Sequence, residues 1–438
     1  MPPPTDAVHK FFDDDQLVER MVLAAPFQAL PPLLLTSKSM NKHVVPAVWR
    51  VLPSSIHLLK LIPGLYVRSG KWSLPSSLTR SDLRRFEYYS QFVFEVLNLF
   101  STTCDGPSNI DANVFRELAL FGATVFPKLR RLTLPSNGDH QLSTPFFHRA
   151  LQVADLTLRQ HSLKLIDDLI TFSPTICSLS LRGCLPPAVL HRTFELRRLT
   201  TLKLFFDRHP ASYGFQYFPI YLHAFLCDLV ALQHLSTLVL ILPKACIYKM
   251  RQLPRHSLSG VRCLELRAHI DVLQRILSAS YDLVEVIIVP YYSSDLDCHA
   301  TMTSLADTSR NTLRSLTYSA STCIDFSFAF SPLRPASNIT EINLLGSTIL
   351  QDNDIRNVVD MWPLLQHFVT PIQQDSVSAL TLRAVGHLTN LQHLHVLRIQ
   401  IADHILIWPP SSLAMSHTVC GTNLACHLFG DSCVTEQT

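Results

Sequence analysis

The sequence predicts an α/β solenoid, in which short parallel strands line one side and helices the other. Two observations predict it. A six-residue phrase, L-x-x-L-x-L with any bulky apolar residue at L, recurs along most of the chain. The apolar content is also high, at 47% against 16% charged, which excludes wholesale disorder. With 438 residues the chain can bury a large core.

The phrase appears as "FEVLNL" (from Phe94), "LRRLTL" (Leu129), "VADLTL" (Val153), "ICSLSL" (Ile176) and "LTTLKL" (Leu199). It continues as "LSTLVL" (Leu235), "VRCLEL" (Val261), "LVEVII" (Leu283) and "LRSLTY" (Leu313), then "ITEINL" (Ile339), "LQHFVT" (Leu365, with Thr370 in its final slot) and "LQHLHV" (Leu391). Most steps fall in the low to middle twenties, and the last three are 26 residues each. That is the period of a leucine-rich repeat, whose units stack into a horseshoe-shaped solenoid. Alternating residues such as Leu202 and Leu204 point to one side of each strand. A helix fits between strands: in "HSLKLIDDLITFSP", Leu163, Ile166, Leu169 and Ile170 share one helical face and Pro174 follows. The repeats are irregular. An Asn or Cys three places after the last apolar residue occurs only at Asn137 and Cys184, and the long step around "FDRHPASYGFQYFPIYLHAF" reads as an insertion or a missed repeat.

A solenoid needs its first apolar face covered, so the N-terminal helices could simply be a cap. They also carry a resemblance. The stretch "DDDQLVERMVLAAPFQALPPLLLTSKSMNKHVVPAVWRVL" (13–52) resembles an F-box, a motif of about forty residues in three short helices closing on Leu-Trp-Arg. Leu17, Val18, Met21 and Val22 match its first helix; Leu30, Leu33 and Leu35 match the second. "TSKS" stands where the family has Cys-Lys-Ser, and "VPAVWRVL" supplies the closing Trp49. The family's opening Leu-Pro is replaced by Asp13-Asp14. With repeats following, and "SLTRSDLRRFEYYSQFVFEVLNLF" (79–100) as lead-in, the chain resembles the fungal-type F-box/leucine-rich-repeat proteins.

The resemblance implies a substrate-recognition subunit of an SCF-type ubiquitin ligase. Leu17, Val18, Met21, Val22, Leu33, Leu35 and Trp49 would dock the adaptor, and through it the cullin scaffold. Trp49 has a second reading, packing the cap against the first repeat. The expected divisions are an F-box-like domain (1–60), a helical linker or cap (61–92), irregular repeats (93–405) and a disordered, non-repeating tail (406–438). The other reading of the whole is a repeat scaffold or inhibitor with no ligase link.

An unknown protein target would bind the strands' outward positions, among them Arg131, Thr133, Asp155, Lys203, Glu265, Glu341, Asn343, His393 and His395. Both charge signs and many hydroxyls stand there, which suits a protein surface, and no basic stripe suggests nucleic acid. His393 and His395 share a strand face but lack a third metal ligand of the right type. Cys420, Cys426 and Cys433, with His417 and His427, match no zinc spacing. No phosphate-binding, nucleophile-elbow or zinc-protease motif is present, so neither enzyme activity nor a cofactor is expected. No apolar run of membrane-spanning length and no signal-peptide pattern occurs, and the eleven cysteines are scattered. A reduced cytoplasmic or nuclear setting is therefore expected, with no membrane partner.

Overall fold

The computed structural model describes residues 14–97, 99, 109–111, 113–121, 125–134, 144–158, 163–183, 185–206, 218–244, 250–319, 322–346, 348–349, 351–372, 396–401 and 404–408. The chain divides into two compact units. One holds Met1–Asp207 with Ala231–Leu235, the other Arg208–Val230 with Ser236–Thr438.

The first unit opens with three helices, α1 (Asp15–Ala24), α2 (Leu30–Leu34) and α3 (Lys38–Trp49). Asp14 caps α1 by accepting from the backbone N–H of Gln16 and Leu17. The prolines Pro31 and Pro32 sit in the first turn of α2, where a missing N–H costs nothing. Ser37 caps α3, and Asp15 bonds to Lys42 and His43, tying α1 to α3. A small apolar core of Val18, Val22, Leu30, Met40 and Val44 holds the three together.

Six strands of this unit form one parallel sheet: β1 (Val51–Leu52), β4 (Glu95–Val96), β6 (Arg131–Leu134), β7 (Val153–Leu158), β8 (Ser178–Gly183) and β9 (Thr201–Phe206), in that order. Its first strand is thus the chain leaving α3. The small strands β2 (Tyr66–Arg68), β3 (Lys71–Ser73) and β5 (Asn109–Ile110) make a separate sheet. Ser69 and Gly70, both at positive φ, turn β2 into β3. The stretch 61–92 therefore carries a hairpin as well as the expected helix. Helices α4 (Ile56–Leu59), α5 (Arg84–Ser90), α6 (Asn113–Leu120), α7 (Leu163–Phe172) and α8 (Pro187–Arg192) complete the unit.

In the second unit, α9 (Phe218–Asp228) occupies the long step before β10 (Thr237–Ile241). Then come β11 (Cys263–Ala268), α10 (Ile270–Ala279), β12 (Glu285–Pro290), α11 (Asp295–Ser309), β13 (Ser315–Tyr318), β14 (Ile324–Asp325), α12 (Phe326–Phe330) and β15 (Glu341–Leu344). The last elements are β16 (Thr348–Ile349), α13 (Asp352–Met361), β17 (His367–Ile372), β18 (Val396–Ile401) and β19 (His404–Trp408). Strands β10, β11, β12, β13, β15, β17 and β18 are parallel neighbours. The last described strand, β19, runs back antiparallel to β18. Under the sheet Phe326 packs on Phe330, Trp362 and Phe368, and the Trp362 indole N–H donates to the Leu333 carbonyl.

Each unit has the strand-and-helix stacking of leucine-rich repeats. In β8, Leu179 and Leu181 are fully buried while Ser178 and Ser180 are half-exposed, and β6, β7, β11, β13 and β15 alternate in the same way. Four details depart from the sequence expectation. Glu95 pairs with Arg131, so the first phrase starts at the buried Val93, one residue earlier, and Leu97 is exposed. Val153 pairs with Arg131, so the next starts at the buried Leu151, two residues earlier. In α7 the buried positions are Leu165, Ile166 and Leu169, and Leu163 is exposed. Strand β18 starts at Val396, three residues beyond where "LQHLHV" places it. Asn137, Cys184 and residues 409–438 lie outside the described residues.

Leu204→Ala should lower unfolding stability by about 2–5 kcal/mol, because Leu204 is fully buried, and Lys203→Ala should cost less than about 0.5 kcal/mol. Chemical denaturation measures both. Asp354 is buried, and burial raises its carboxyl above the usual aspartate range. A raised acid weighs against the fold above its folded pKa and is relieved as pH falls through it. Asp354→Asn keeps an acceptor for the Gln351 N–H. It should raise the melting temperature at pH 7 and lose that advantage in acid, as calorimetry across pH would show.

Candidate functional site

Two surfaces in the described residues bear on binding. On the N-terminal helices, Leu35 is 89% exposed, Leu23 54% and Leu17 42%. Bare apolar side chains on helices that already have a core are available to a partner. Val18 and Val22, at 1% and 2%, face inward and hold the helices together, so they do not belong to the exposed surface expected of them. Met21 and Leu33 are half-buried against the same core. Trp49 stacks on Tyr89 of α5 with ring centroids 4.7 Å apart, which is the packing reading of that residue. Leu23 did not stand out in the sequence. Its place is visible only once α1 turns Val18 and Val22 inward.

The second surface is the open face of each sheet, away from the helices. In the first unit, register aligns Thr133, Asp155, Ser180 and Lys203 across four strands. The Ser180 hydroxyl donates to Asp155 at 2.9 Å, and Arg131 meets Glu95 at 3.4 Å. Arg182 lies 4.6 Å over the Phe205 ring, and Lys203 is exposed. In the second unit, Glu341 accepts from Ser315 at 3.2 Å and from Asn343 at 2.7 Å. Glu265 lies between Val239 and Ile287 in register, and Val239 is buried on a face expected to be open. His393 and His395 lie outside the described residues.

Burial pushes the Cys298 thiol up to about 12 and the neighbouring Tyr318 hydroxyl higher still. A thiol held there stays protonated and is no nucleophile at neutral pH. Burial also lowers His148, keeping it neutral. Among the described residues no three His, Cys, Asp or Glu side chains are placed to hold a metal ion. A polar cleft of about 420 Å³ lies beside the β2–β3 hairpin, lined by Arg68, Lys71, Asp111 and Glu117.

No protein-family model matches the chain, and no curated protein matches it either. Among solved structures it is similar to the Rad7 and Elc1 complex from yeast, at 14% identity with a TM-score of 0.30 over 63% of this chain and 87% of that one. It is also similar to the leucine-rich-repeat-containing protein LegL7 from Legionella pneumophila, at 15% identity with a TM-score of 0.35 over 65% and 86%. Neither superposition is close enough to carry an argument about function.

The placement of the apolar residues yields a test. Val44→Asp puts a charge into the block's core and should unfold α1–α3, opening residues 15–49 to limited proteolysis. Leu35→Asp should leave the proteolytic pattern unchanged, because its side chain meets solvent.

Proposed function

We propose that this protein is a non-catalytic substrate receptor of an SCF-type ubiquitin ligase, acting in the cytoplasm or nucleus. The observation that carries the reading is the exposure of Leu17, Leu23 and Leu35 on helices whose own core is closed. Helices with a finished core gain nothing from keeping three leucines in water, and a partner's apolar groove would bury them. The sequence resemblance of residues 13–52 to an F-box supports the choice of partner. In this reading Leu17 and Leu35 are adaptor contacts, while Val18, Met21, Val22 and Leu33 hold the contact surface from beneath. Trp49 links α3 to α5 through Tyr89 and holds the block against the repeats.

The repeats would hold the protein target. The catalytic step belongs to other subunits, and this chain contributes proximity. The competing reading is a repeat scaffold in which residues 15–49 serve as a cap, and the packing of Trp49 favours it.

Pull-down of the full chain with purified SCF adaptor tests the proposal. Wild type should bind, and Leu17→Asp and Leu35→Asp should each weaken binding at least tenfold, the effect of losing a buried anchor at roughly 1.4 kcal/mol or more. A folded wild-type chain that does not bind the adaptor leaves the scaffold reading.

A further inference from the structure

Parallel strands enter their sheet from a common edge, so residues just ahead of successive strands stand side by side. In the first unit, four of the six strands of the parallel sheet have basic residues within four places of their start. Arg50 precedes β1, Lys128 and Arg130 precede β6, Arg149 precedes β7, and Arg197 and Arg198 precede β9. All six are exposed. The hydrogen bonds place them on one edge. The Arg50 carbonyl accepts from Phe94 and Glu95 at the start of β4, and the Phe94 carbonyl accepts from Arg130 and Arg131 at the start of β6. Thr175, just ahead of β8, donates through its hydroxyl to the Arg149 carbonyl.

Among the described residues none of the six forms an ion pair. Glu95 is already held by Arg131, and Glu195 by Arg192. Two of the guanidiniums are also fixed in place. Arg50 and Arg130 lie 5.8 and 5.3 Å from the Phe94 ring centre, and they come from the strands on either side of it. Stacking on an aromatic ring holds a guanidinium in a set position without neutralising it.

We propose that this edge docks an acidic segment of a partner protein. The spacing favours an extended peptide. Arg50 and Arg130 precede strands two apart, about 9.6 Å at roughly 4.8 Å per strand, and carboxylates on every third residue of a polyproline-II chain share one face about 9.3 Å apart. A single-stranded nucleic acid would want a free aromatic face for its bases, and the Phe94 ring already has two guanidiniums over it. The inference is independent of adaptor binding, since α1 and α2 carry none of these residues.

The test is fluorescence anisotropy of the full chain with a labelled peptide bearing glutamate at every third position, at low and physiological salt. The peptide should bind, more weakly as salt rises. The triple variant Arg50→Gln/Arg130→Gln/Arg198→Gln should lose about tenfold in affinity, as three exposed charge pairs would give together. Lys203→Gln, on the open face, should leave it unchanged. Because two of these arginines touch Phe94, Lys128→Gln/Arg198→Gln serves as a second variant free of that contact and should also weaken binding. Absence of binding at low salt would overturn the proposal, as would a triple variant that binds as well as wild type. Tighter binding of a DNA duplex of matched charge would do so too, and would reassign the edge to nucleic acid.

Discussion

Ten of the parallel strands, β4, β6, β7, β8 and β9 in the first unit and β11, β12, β13, β15 and β17 in the second, enter on the carbonyl that precedes the strand before them. The carbonyls of Arg50, Phe94, Arg130, Gln152 and Cys177 in the first unit each accept two backbone N–H groups from the next strand. Those of Ser236, Arg262, Val284, Arg314 and Thr340 do the same in the second. This fork sets where each strand starts, and the start sets which side chains point inward. Leu132, Ala154, Leu179 and Leu202 then fall in one buried row, and Leu264, Val286, Leu316, Ile342 and Phe368 in another. Neither row has enough apolar surface on one strand to be stable alone. What must be kept from one repeat to the next is thus the entry point and the inward parity, while the length between strands is free to vary. Loop length costs little free energy per added residue. That is how steps as short as 22 residues, from Leu129 to Leu151, coexist with the 36 from Leu199 to Leu235.

This explains what was legible in the sequence. A buried strand with two inward residues leaves a strong trace, so strands such as β8, β9, β11 and β15 stand where the phrase puts them. The trace is degenerate, because any bulky apolar residue satisfies it. In "FVFEVLNL" both Val93 and Phe94 can open the phrase, and only the pairing of Glu95 with Arg131 decides for Val93. The two-residue slip at "VADLTL" did less harm. An even slip preserves parity, so Asp155 stays on the open face. An odd slip turns every side chain over, which is why Leu97 emerged exposed. Helix faces were less legible: in α7 the buried Leu165, Ile166 and Leu169 lie within the apolar half of the helix, and Leu163 stands at its edge.

The N-terminal block differs along its length. Its rear is joined to the repeats, with Trp49 on Tyr89 and Val51–Leu52 as the first strand of the sheet. Its front closes a core of its own and keeps Leu17 and Leu35 in solvent. A motif match assigns residue types to a helix but not to its inner or outer side. Val18, one place after Leu17, therefore read alike in the sequence and came out opposite. A rigid rear and a bare front are compatible in one element, since the stacking on Tyr89 uses none of the exposed leucines.

Charge follows the same geometry. Residues on the strands stand about 5 Å from their cross-strand neighbours and satisfy one another, as Ser180 does Asp155 and Ser315 does Glu341. Residues just ahead of the strands are outside the ladder, where a long side chain reaches solvent and nothing in the fold requires a counter-charge. Such positions accumulate like charge without cost to packing, and in sequence they are scattered between residues 50 and 198 as single residues or short groups. A net charge of +3 over the whole chain hides the result. In a repeat protein the electrostatic surface is written in the period, and it becomes readable when the residues a few places ahead of successive strands are set side by side.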